Sequence, residues 1–304
     1  MEKKFTYRPS PTALLDPCRG SIFKRLFTDN SPEGNLALQS FLEAVLGKKV
    51  SDIVLQQNEL PIDNISEKDC KFDLNCKIDN SEYANIEIQS VNSECNFEKR
   101  AEYYCAHLMN HQILYGDNWK EVPKVYQISI LKFTREKSSP NETFHYTFRT
   151  EDGFTLHNRQ NIIFIELPKV KVLVEKIEHG EMSIEDLSPT QKWGIFILYS
   201  SQDEYSNIIK QISHSESGIK CAVQILDKIS QDEIEWKRQF DEIILTNDRI
   251  TRESYVKELG KKEGEEQTKL EVAKKLLKMD LEIEQITQTT ELSLETINEL
   301  KKTM

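Results

Sequence analysis

The chain has 304 residues, of which 38% are hydrophobic and 30% are charged, and its formal net charge is −11. This composition is typical of a folded protein with a charged surface, long enough for one large domain with an appendage or for two modest domains. The negative net charge argues against a protein that binds nucleic acid over its whole surface. No apolar run approaches the roughly 18–20 residues of a membrane helix. Because the first residues also lack a signal-peptide pattern, we expect a cytoplasmic protein.

The N-terminal part of the chain predicts an extended segment, two helices and a strand. Residues 1–18 contain three prolines and predict an extended lead-in. Apolar residues at helical spacing predict a short helix over 20–29. Ser31 before Pro32 is typical of the start of a second helix, and a strand is expected to begin at Ile53.

A β-hairpin is the most informative prediction. Residues 72–78 and 82–89 each alternate apolar and polar side chains, which indicates two half-buried strands. The segment Asp79-Asn80-Ser81 between them has the residue types of a tight turn. Each strand is therefore expected to turn one face to the core and to keep polar side chains on the other.

Two acidic residues are expected to meet on one face of this hairpin. Asp73 and Glu87 each lie seven residues from Asn80, so a turn centred there places them directly opposite, with Cβ atoms ~5 Å apart. Two carboxylates at that distance repel unless one is protonated or a cation lies between them. Because hard divalent metals take such oxygen ligands, the pair is a candidate metal site.

A helix and further strands are predicted after the hairpin. Apolar residues at helical spacing favour a helix from Asn96 to Tyr115. His107 and His111 lie four residues apart on it, a spacing that suits two metal ligands, but no Glu completes an HExxH motif. A surface or packing role is therefore the favoured interpretation of these histidines. The predicted strands that follow cover 125–131, which is expected to be central, 144–149 and 162–167.

Helices dominate the remainder of the predicted structure. Residues 183–186 fit a capping box, and helical patterns follow at 193–199, 217–229 and 231–245. We place a soft domain boundary near residue 170 and a firmer one near 250. The predicted domains are 1–170, a helical extension or cap over 171–250, and a helical tail over 251–304.

The tail is expected to form three short helices, around Leu276, from Ile283, and after a cap at Ser293. The charged run 261–266 that precedes them is expected to be a solvated helix or a linker. A small bundle of this kind is marginal alone, so docking or homo-oligomerisation through the tail is expected.

Several motifs, taken in their order along the chain, resemble one protein family. The motifs are Phe23-Lys24-Arg25-Leu26-Phe27, residues 41–46, Asn58-Glu59, the hairpin, residues 100–104 and residues 128–131. This ordered set resembles the PD-(D/E)XK nuclease family transposases, a group of recombination-promoting nucleases. The resemblance covers roughly residues 10–170 closely and the tail more loosely; no single motif is specific, whereas the ordered set is a fairly strong signal.

The resemblance implies an α/β fold in which a mixed β-sheet is flanked by helices, with a helical C-terminal region. It implies a Mg²⁺- or Mn²⁺-dependent DNA endonuclease that hydrolyses phosphodiesters with a metal-activated water. In the family pattern Asp73 and Glu87 are the metal ligands, and Gln89 stands at the position of the lysine in Glu-X-Lys. The tail resembles the helix-turn-helix tail of many members, with a packing bundle as the alternative.

Four further residues are candidates for accessory roles at this site. Glu59 is a candidate third carboxylate, with an edge-strand role as the alternative. Arg100 and Tyr103, on the helix after the hairpin, are candidates for phosphate contact and for shaping the cleft. Lys24 is a candidate for reaching the site, although a solvated helix lysine is the default interpretation.

Two departures from the family pattern bear on activity. Members usually carry an Asp three residues before the first Phe of the Phe-Lys-x-Leu-Phe motif, where this chain has Gly20, and the nearest acid is Asp16. Glutamine at position 89 can orient a water but supplies no positive charge. Both departures favour an alternative hypothesis: a catalytically weakened nuclease-fold protein that acts as a DNA- or protein-binding module.

Overall fold

The computed structural model describes residues 7–58, 73–89, 97–113, 116 and 118–303. The chain divides into two compact units, Met1–Phe240 and Asp241–Met304. All of the strands in the described residues belong to the first unit.

The described residues form six strands and ten α-helices. The strands are β1 (Ile53–Leu55), β2 (Leu74–Ile78), β3 (Glu82–Gln89), β4 (Lys124–Leu131), β5 (Thr143–Tyr146) and β6 (Gln160–Glu166). The helices are α1 (Gly20–Phe27), α2 (Pro32–Leu46), α3 (Phe97–Asn110), α4 (Val170–Glu178), α5 (Pro189–Tyr199), α6 (Ser206–Ser215), α7 (Ser217–Ser230), α8 (Glu233–Lys278), α9 (Ile283–Thr290) and α10 (Leu294–Thr303). Short 3₁₀ helices lie at Trp119–Glu121, Leu167–Lys169, Ile184–Asp186 and Asp203–Tyr205.

The strands form one mixed sheet in the order β1-β2-β3-β4-β6-β5. The pairs β1–β2, β2–β3 and β5–β6 are antiparallel, whereas β3–β4 and β4–β6 are parallel. A parallel pair needs a crossover connection, and α3 lies in the connection between β3 and β4. The predicted mixed sheet with flanking helices is confirmed, and β4 lies inside the sheet as expected.

The alternation along β3 assigns its residues to two different faces of the sheet. Ala84, Ile86 and Ile88 belong to the large hydrophobic core that α1, α2, α5 and α7 also build. The residues between them point to the face covered by α3, since Glu87 contacts Arg100 of that helix. This division follows from the period of two in a strand.

The helices after residue 170 share the hydrophobic core of the sheet. Trp193 of α5 is 1% exposed and meets the Phe41 ring of α2 edge to face, with centroids 5.5 Å apart. Gly218 of α7 lies so close to α2 that an added Cβ would be 2.1 Å from the Ser40 Cβ. The soft boundary expected near residue 170 therefore separates segments that pack in one core.

Several predicted element ends differ from the structure. The helix expected from Asn96 to Tyr115 ends at Asn110, where a tighter Gln112-to-Met109 backbone hydrogen bond closes it. The strand expected over 144–149 ends at Tyr146, beyond which Arg149 forms only an isolated bridge with Thr155. The helices α4 and α6 were not predicted.

The prediction of a separate first helix in the tail is wrong, because this segment is the end of the 46-residue helix α8. The charged run within α8 is solvated helix rather than a linker. Lys262 lies 2.8 Å from Glu258, and Lys261 lies 3.8 Å from Glu265, both at i,i+4 spacing. Such pairs stabilise an exposed helix modestly, and Lys and Glu have high helix propensity.

No helix in the described residues is long and apolar enough to cross a membrane.

The second unit has its own small hydrophobic cluster. Ala273, Ile286, Leu292 and Ile297 are buried there and come from α8, α9, α10 and the turn between the last two. Ser293 caps α10 as predicted, since its Oγ accepts a hydrogen bond from the Thr296 amide at 3.1 Å. The cluster is small, so it contributes limited stability.

We expect the chain shortened to residues 1–250 to unfold in one cooperative transition. It keeps Trp236, which is 6% exposed and donates its indole N–H to the Ser230 carbonyl at 2.8 Å. It also keeps Phe240, whose ring lies 5.6 Å from that of Tyr7. Circular dichroism during heating would measure the transition.

The matched comparison is a chain shortened to residues 1–230, which lacks Trp236. Loss of a buried tryptophan costs about 3–5 kcal/mol, so this shorter chain should melt at a clearly lower temperature. Aggregation of the 1–250 chain, or a melt without a transition, would show that the tail is required for the first unit to fold.

Candidate functional site

The β2–β3 hairpin brings the two predicted acids together. Leu74 pairs with Ile86, and the same register continued by one residue sets Asp73 opposite Glu87. Asp73 lies directly before β2, and its Oδ2 accepts a hydrogen bond from the Ile88 amide at 3.1 Å. The Asp73 carboxylate is thus tied to the neighbouring strand beside Glu87.

The turn of the hairpin has the geometry that this register requires. Three residues connect Ile78 to Glu82. Two of them, Asp79 and Asn80, have φ angles of 48° and 60°, in the left-handed region that tight hairpin turns use. The Asp79 side chain also accepts backbone hydrogen bonds from Ser51 and Asp52, at 2.7 and 3.0 Å. These bonds stabilise the turn and lower the pKa of Asp79.

Glu87 is the centre of the site and is 7% exposed. Its Oε1 accepts a hydrogen bond from Arg100 Nη2 at 2.9 Å and another from the Gln89 amide nitrogen. Its Oε2 accepts a longer hydrogen bond, of 3.4 Å, from Gln127 Nε2. Three donors from β3, β4 and α3 therefore converge on one carboxylate.

A row of buried polar side chains on β2, β3 and β4 continues from Glu87. Asn85 donates to Gln127 Oε1 at 2.7 Å, and Gln127 donates to Ser129 Oγ at 3.2 Å. Asn75 pairs with Asn85 in the β2–β3 register. Buried polar groups need such partners, since an unsatisfied one costs about 1–3 kcal/mol. The network holds the carboxylate of Glu87 in a defined position.

Sequence reasoning missed Asn85, Gln127 and Ser129 as members of this network. Gln127 and Ser129 do alternate with apolar residues in the predicted strand over 125–131, which is a usable signal. Their relation to Glu87 depends on the parallel pairing that aligns Glu87 with Ser129. That pairing is a property of the assembled sheet.

Burial raises the pKa of Glu87 to about 7. The neighbouring Asp73 carboxylate also raises the pKa of Glu87, whereas the Arg100 guanidinium and the Gln127 hydrogen bond lower it. A carboxyl group that changes protonation near neutral pH, next to a second carboxylate, is suited to bind a cation that relieves the repulsion.

The other predicted site residues fall in different places. Gln89 and Arg100 both contact Glu87. Tyr103 stacks on the His107 ring, with centroids 5.6 Å apart and planes inclined by 14°. Lys24 is exposed on α1, which packs against the opposite face of the sheet, so the structure does not bring it to Glu87. Glu59 lies outside the described residues.

Gly20 begins α1, and the nearest acid in the sequence is Asp16. A Cβ at Gly20 would meet no atom within 4 Å, so packing does not require glycine there. Asp16 Oδ2 lies 3.7 Å from Lys132 Nζ and 3.5 Å from Arg19 Nε. The Lys132 amide donates to the Gln89 carbonyl at 2.9 Å. An acid and two cations thus lie at the strand end that carries Gln89.

The donor set can be compared with the needs of a metal ion. In the described part of the chain, no group of three or more His, Cys, Asp or Glu side chains converges. Asp73 and Glu87 offer carboxylate oxygens, the ligand type that Mg²⁺ and Mn²⁺ take, and Mg²⁺ commonly retains several waters. Two carboxylates are therefore compatible with such an ion.

The fold and this site define a nuclease-type α/β protein with a mixed sheet and an acidic pair on a hairpin. The sequence model of the PD-(D/E)XK nuclease family transposases matches residues 20–252 of the chain. The match covers most of the chain, and the protein belongs to this family. No curated protein and no solved structure matches the chain.

We expect Glu87→Gln to flatten the pH dependence of stability. The folded protein holds a proton on Glu87 up to about pH 7, whereas the unfolded chain releases it near 4.5. The wild-type free energy of unfolding therefore falls as pH rises through this window, by up to about 3 kcal/mol. Urea unfolding at several pH values would measure the difference between the two proteins.

The matched control is Glu98→Gln on α3. Arg135 holds the pKa of Glu98 below its usual value, so that variant should change the slope in the opposite direction and only weakly, because Glu98 is partly exposed. Identical pH profiles for wild type and Glu87→Gln would contradict the raised pKa of Glu87.

Proposed function

We propose that the protein is a DNA endonuclease that depends on Mg²⁺ or Mn²⁺. The observation that carries the proposal is the placement of Asp73 beside Glu87 across the hairpin, with the pKa of Glu87 raised to about 7. Membership of a nuclease family supports DNA as the substrate.

Asp73 and Glu87 would hold the metal ion. The bound ion would act as a Lewis acid that activates water and neutralises charge on the phosphodiester. The Ile88 amide keeps the Asp73 carboxylate in place, and Gln127 does the same for Glu87. Burial raises the pKa of Glu87, so a proton competes with the cation for this carboxylate, and less metal should be needed for activity as pH rises.

Gln89 and Arg100 would together replace the lysine of the family motif, with Gln89 orienting the water and Arg100 supplying the positive charge. The Gln89 amide can orient a water but carries no charge, whereas Arg100 is always charged. Both donate to the same oxygen of Glu87. The Arg100 side chain is 38% exposed, so its guanidinium is also accessible to a phosphate oxygen.

A local group of cations would offset the acidity of the whole chain. Arg19 and Lys132 lie beside Asp16 at the strand end near Gln89. Two cations that share one carboxylate leave a net positive charge there, which favours phosphate contact. The DNA contact surface would thus be assembled from distant parts of the chain, and its binding would weaken with salt.

The second unit would support self-association rather than base recognition. The helix α10 carries Lys301 and Lys302 in its last turn and Glu295 in its first turn. A DNA-reading helix usually carries more basic residues near its start. Measuring the molar mass in solution of the full chain and of the chain of residues 1–250 would test whether the tail forms a homo-oligomer.

A DNA- or protein-binding role without catalysis is the second candidate. It is favoured by the ion pair between Glu87 and Arg100, which satisfies the carboxylate without a metal. Gln89 and Gly20, which replace charged residues of the family pattern, favour it as well. Incubation of plasmid with the protein and Mg²⁺ or Mn²⁺ separates the two candidates, because only the nuclease nicks DNA.

We expect Glu87→Ala to abolish metal-dependent nicking, with a loss of at least about 100-fold, since a central electrostatic group is removed. The fold should remain, because the change also removes a buried carboxylate next to Asp73. Plasmid nicking and circular dichroism would measure the two effects.

The control for this variant is Glu82→Gln, which removes a carboxylate from the same strand where it pairs with Lys48 away from the site. It should retain activity. Wild-type nicking by Glu87→Ala would exclude the proposed metal ligand.

We expect Gln89→Lys to raise nicking activity. A lysine there restores a positive charge beside Glu87, which lowers the pKa of that carboxyl and stabilises charge on the phosphate. The rate of plasmid nicking at saturating Mg²⁺ is the measurement, with Gln89→Met as the uncharged control of similar length. A fall in activity with an intact fold would show that Gln89 itself has a specific role.

A further inference from the structure

Two imidazole rings meet at the end of α3. His107 Nε2 and His111 Nε2 are 3.0 Å apart, and the ring planes are inclined by 78°. His111 follows the last residue of the helix, but its amide still donates to the His107 carbonyl at 3.1 Å. The two side chains therefore project from one face, one turn apart.

We propose that His107 and His111 bind a divalent transition metal ion that prefers nitrogen ligands, with Ni²⁺, Cu²⁺ and Zn²⁺ as the candidate class. The site is distinct from the carboxylate site of Asp73 and Glu87, which takes a hard cation. It does not depend on the proposed nuclease activity.

The separation of the two nitrogens fits shared coordination of one ion. Metal–nitrogen bonds to histidine are about 2.0–2.1 Å long. Two such bonds at a right angle set the nitrogens ~2.9 Å apart, and at a tetrahedral angle ~3.3 Å apart. The observed 3.0 Å lies between these values, so the spacing of the two nitrogens matches shared coordination.

The surroundings hold the first ring in this position. His107 is 7% exposed, and the Tyr103 ring stacks against it with planes inclined by 14°. His111 is partly exposed, which leaves a path for an ion from solvent. A ligand held before binding loses less conformational entropy when the ion arrives.

The ligand chemistry sets the selectivity and the strength of the site. Imidazole suits Ni²⁺, Cu²⁺ and Zn²⁺, whereas Mg²⁺ takes oxygen ligands. No third His, Cys, Asp or Glu joins the pair in the part of the chain that the structure describes. Water would complete the coordination, so the affinity should be weaker than that of a closed structural zinc site.

The alternative is a pair of neutral imidazoles that share one proton in a hydrogen bond. Isothermal titration of the full-length protein without an affinity tag, with Ni²⁺ in excess Mg²⁺, separates the two. The excess Mg²⁺ occupies carboxylate sites. We expect one saturable Ni²⁺ equivalent, and a melting temperature that rises with Ni²⁺ because the ion binds the folded state.

We expect His107→Ala and His111→Ala each to weaken this binding by at least about 10-fold and to remove the rise in melting temperature. The matched control is His214→Ala, a histidine on the surface helix α6. Glu87→Ala should also retain binding, which separates this site from the carboxylate site. If His107→Ala does not fold, His111→Ala tests the proposal alone, because His111 is partly exposed and its loss disturbs the fold less. Absence of saturable binding in the wild type, or binding by both α3 variants as tight as that of the wild type, would overturn the proposal.

Discussion

The register of the β2–β3 hairpin is the constraint on which the rest of the site depends. Because side chains alternate between faces, one choice of register sends Ile86 and Ile88 into the core and sets Asp73 beside Glu87. A slip by one residue would place the acids in the apolar core, where an unpaired charge is very unfavourable. Core packing and site geometry therefore select the same pairing.

Burial of Glu87 is tolerated because neighbouring elements provide donors. Arg100 comes from the crossover helix, and Gln127 from the adjacent parallel strand. Removal of one partner of a buried pair typically costs about 3–5 kcal/mol, and partial exposure of Arg100 reduces that figure here. The pKa of about 7 is the balance of burial against these contacts, so the network controls when the carboxylate becomes charged.

The charge near the site is distributed differently from that of the whole chain. The protein is acidic overall, yet Arg19, Lys132 and Arg100 lie near the C-terminal ends of β3 and β4. Asp16 pairs with two of these cations. A local positive region on an acidic protein favours specific over general contact with a polyanion.

The sequence by itself determined the hairpin, its turn, the facing pair of Asp73 and Glu87, and the family, because these depend on alternation and on short spacings. Local patterns could not show that α8 continues through its charged run, since a chain of Lys and Glu fits a linker as well as an exposed helix. Only the tertiary structure decided that Gln127 joins Glu87, that Lys24 faces elsewhere and that the helices after residue 170 share the core. Those features depend on which distant strands and helices become neighbours, and residues far apart in sequence carry no local signal of that choice.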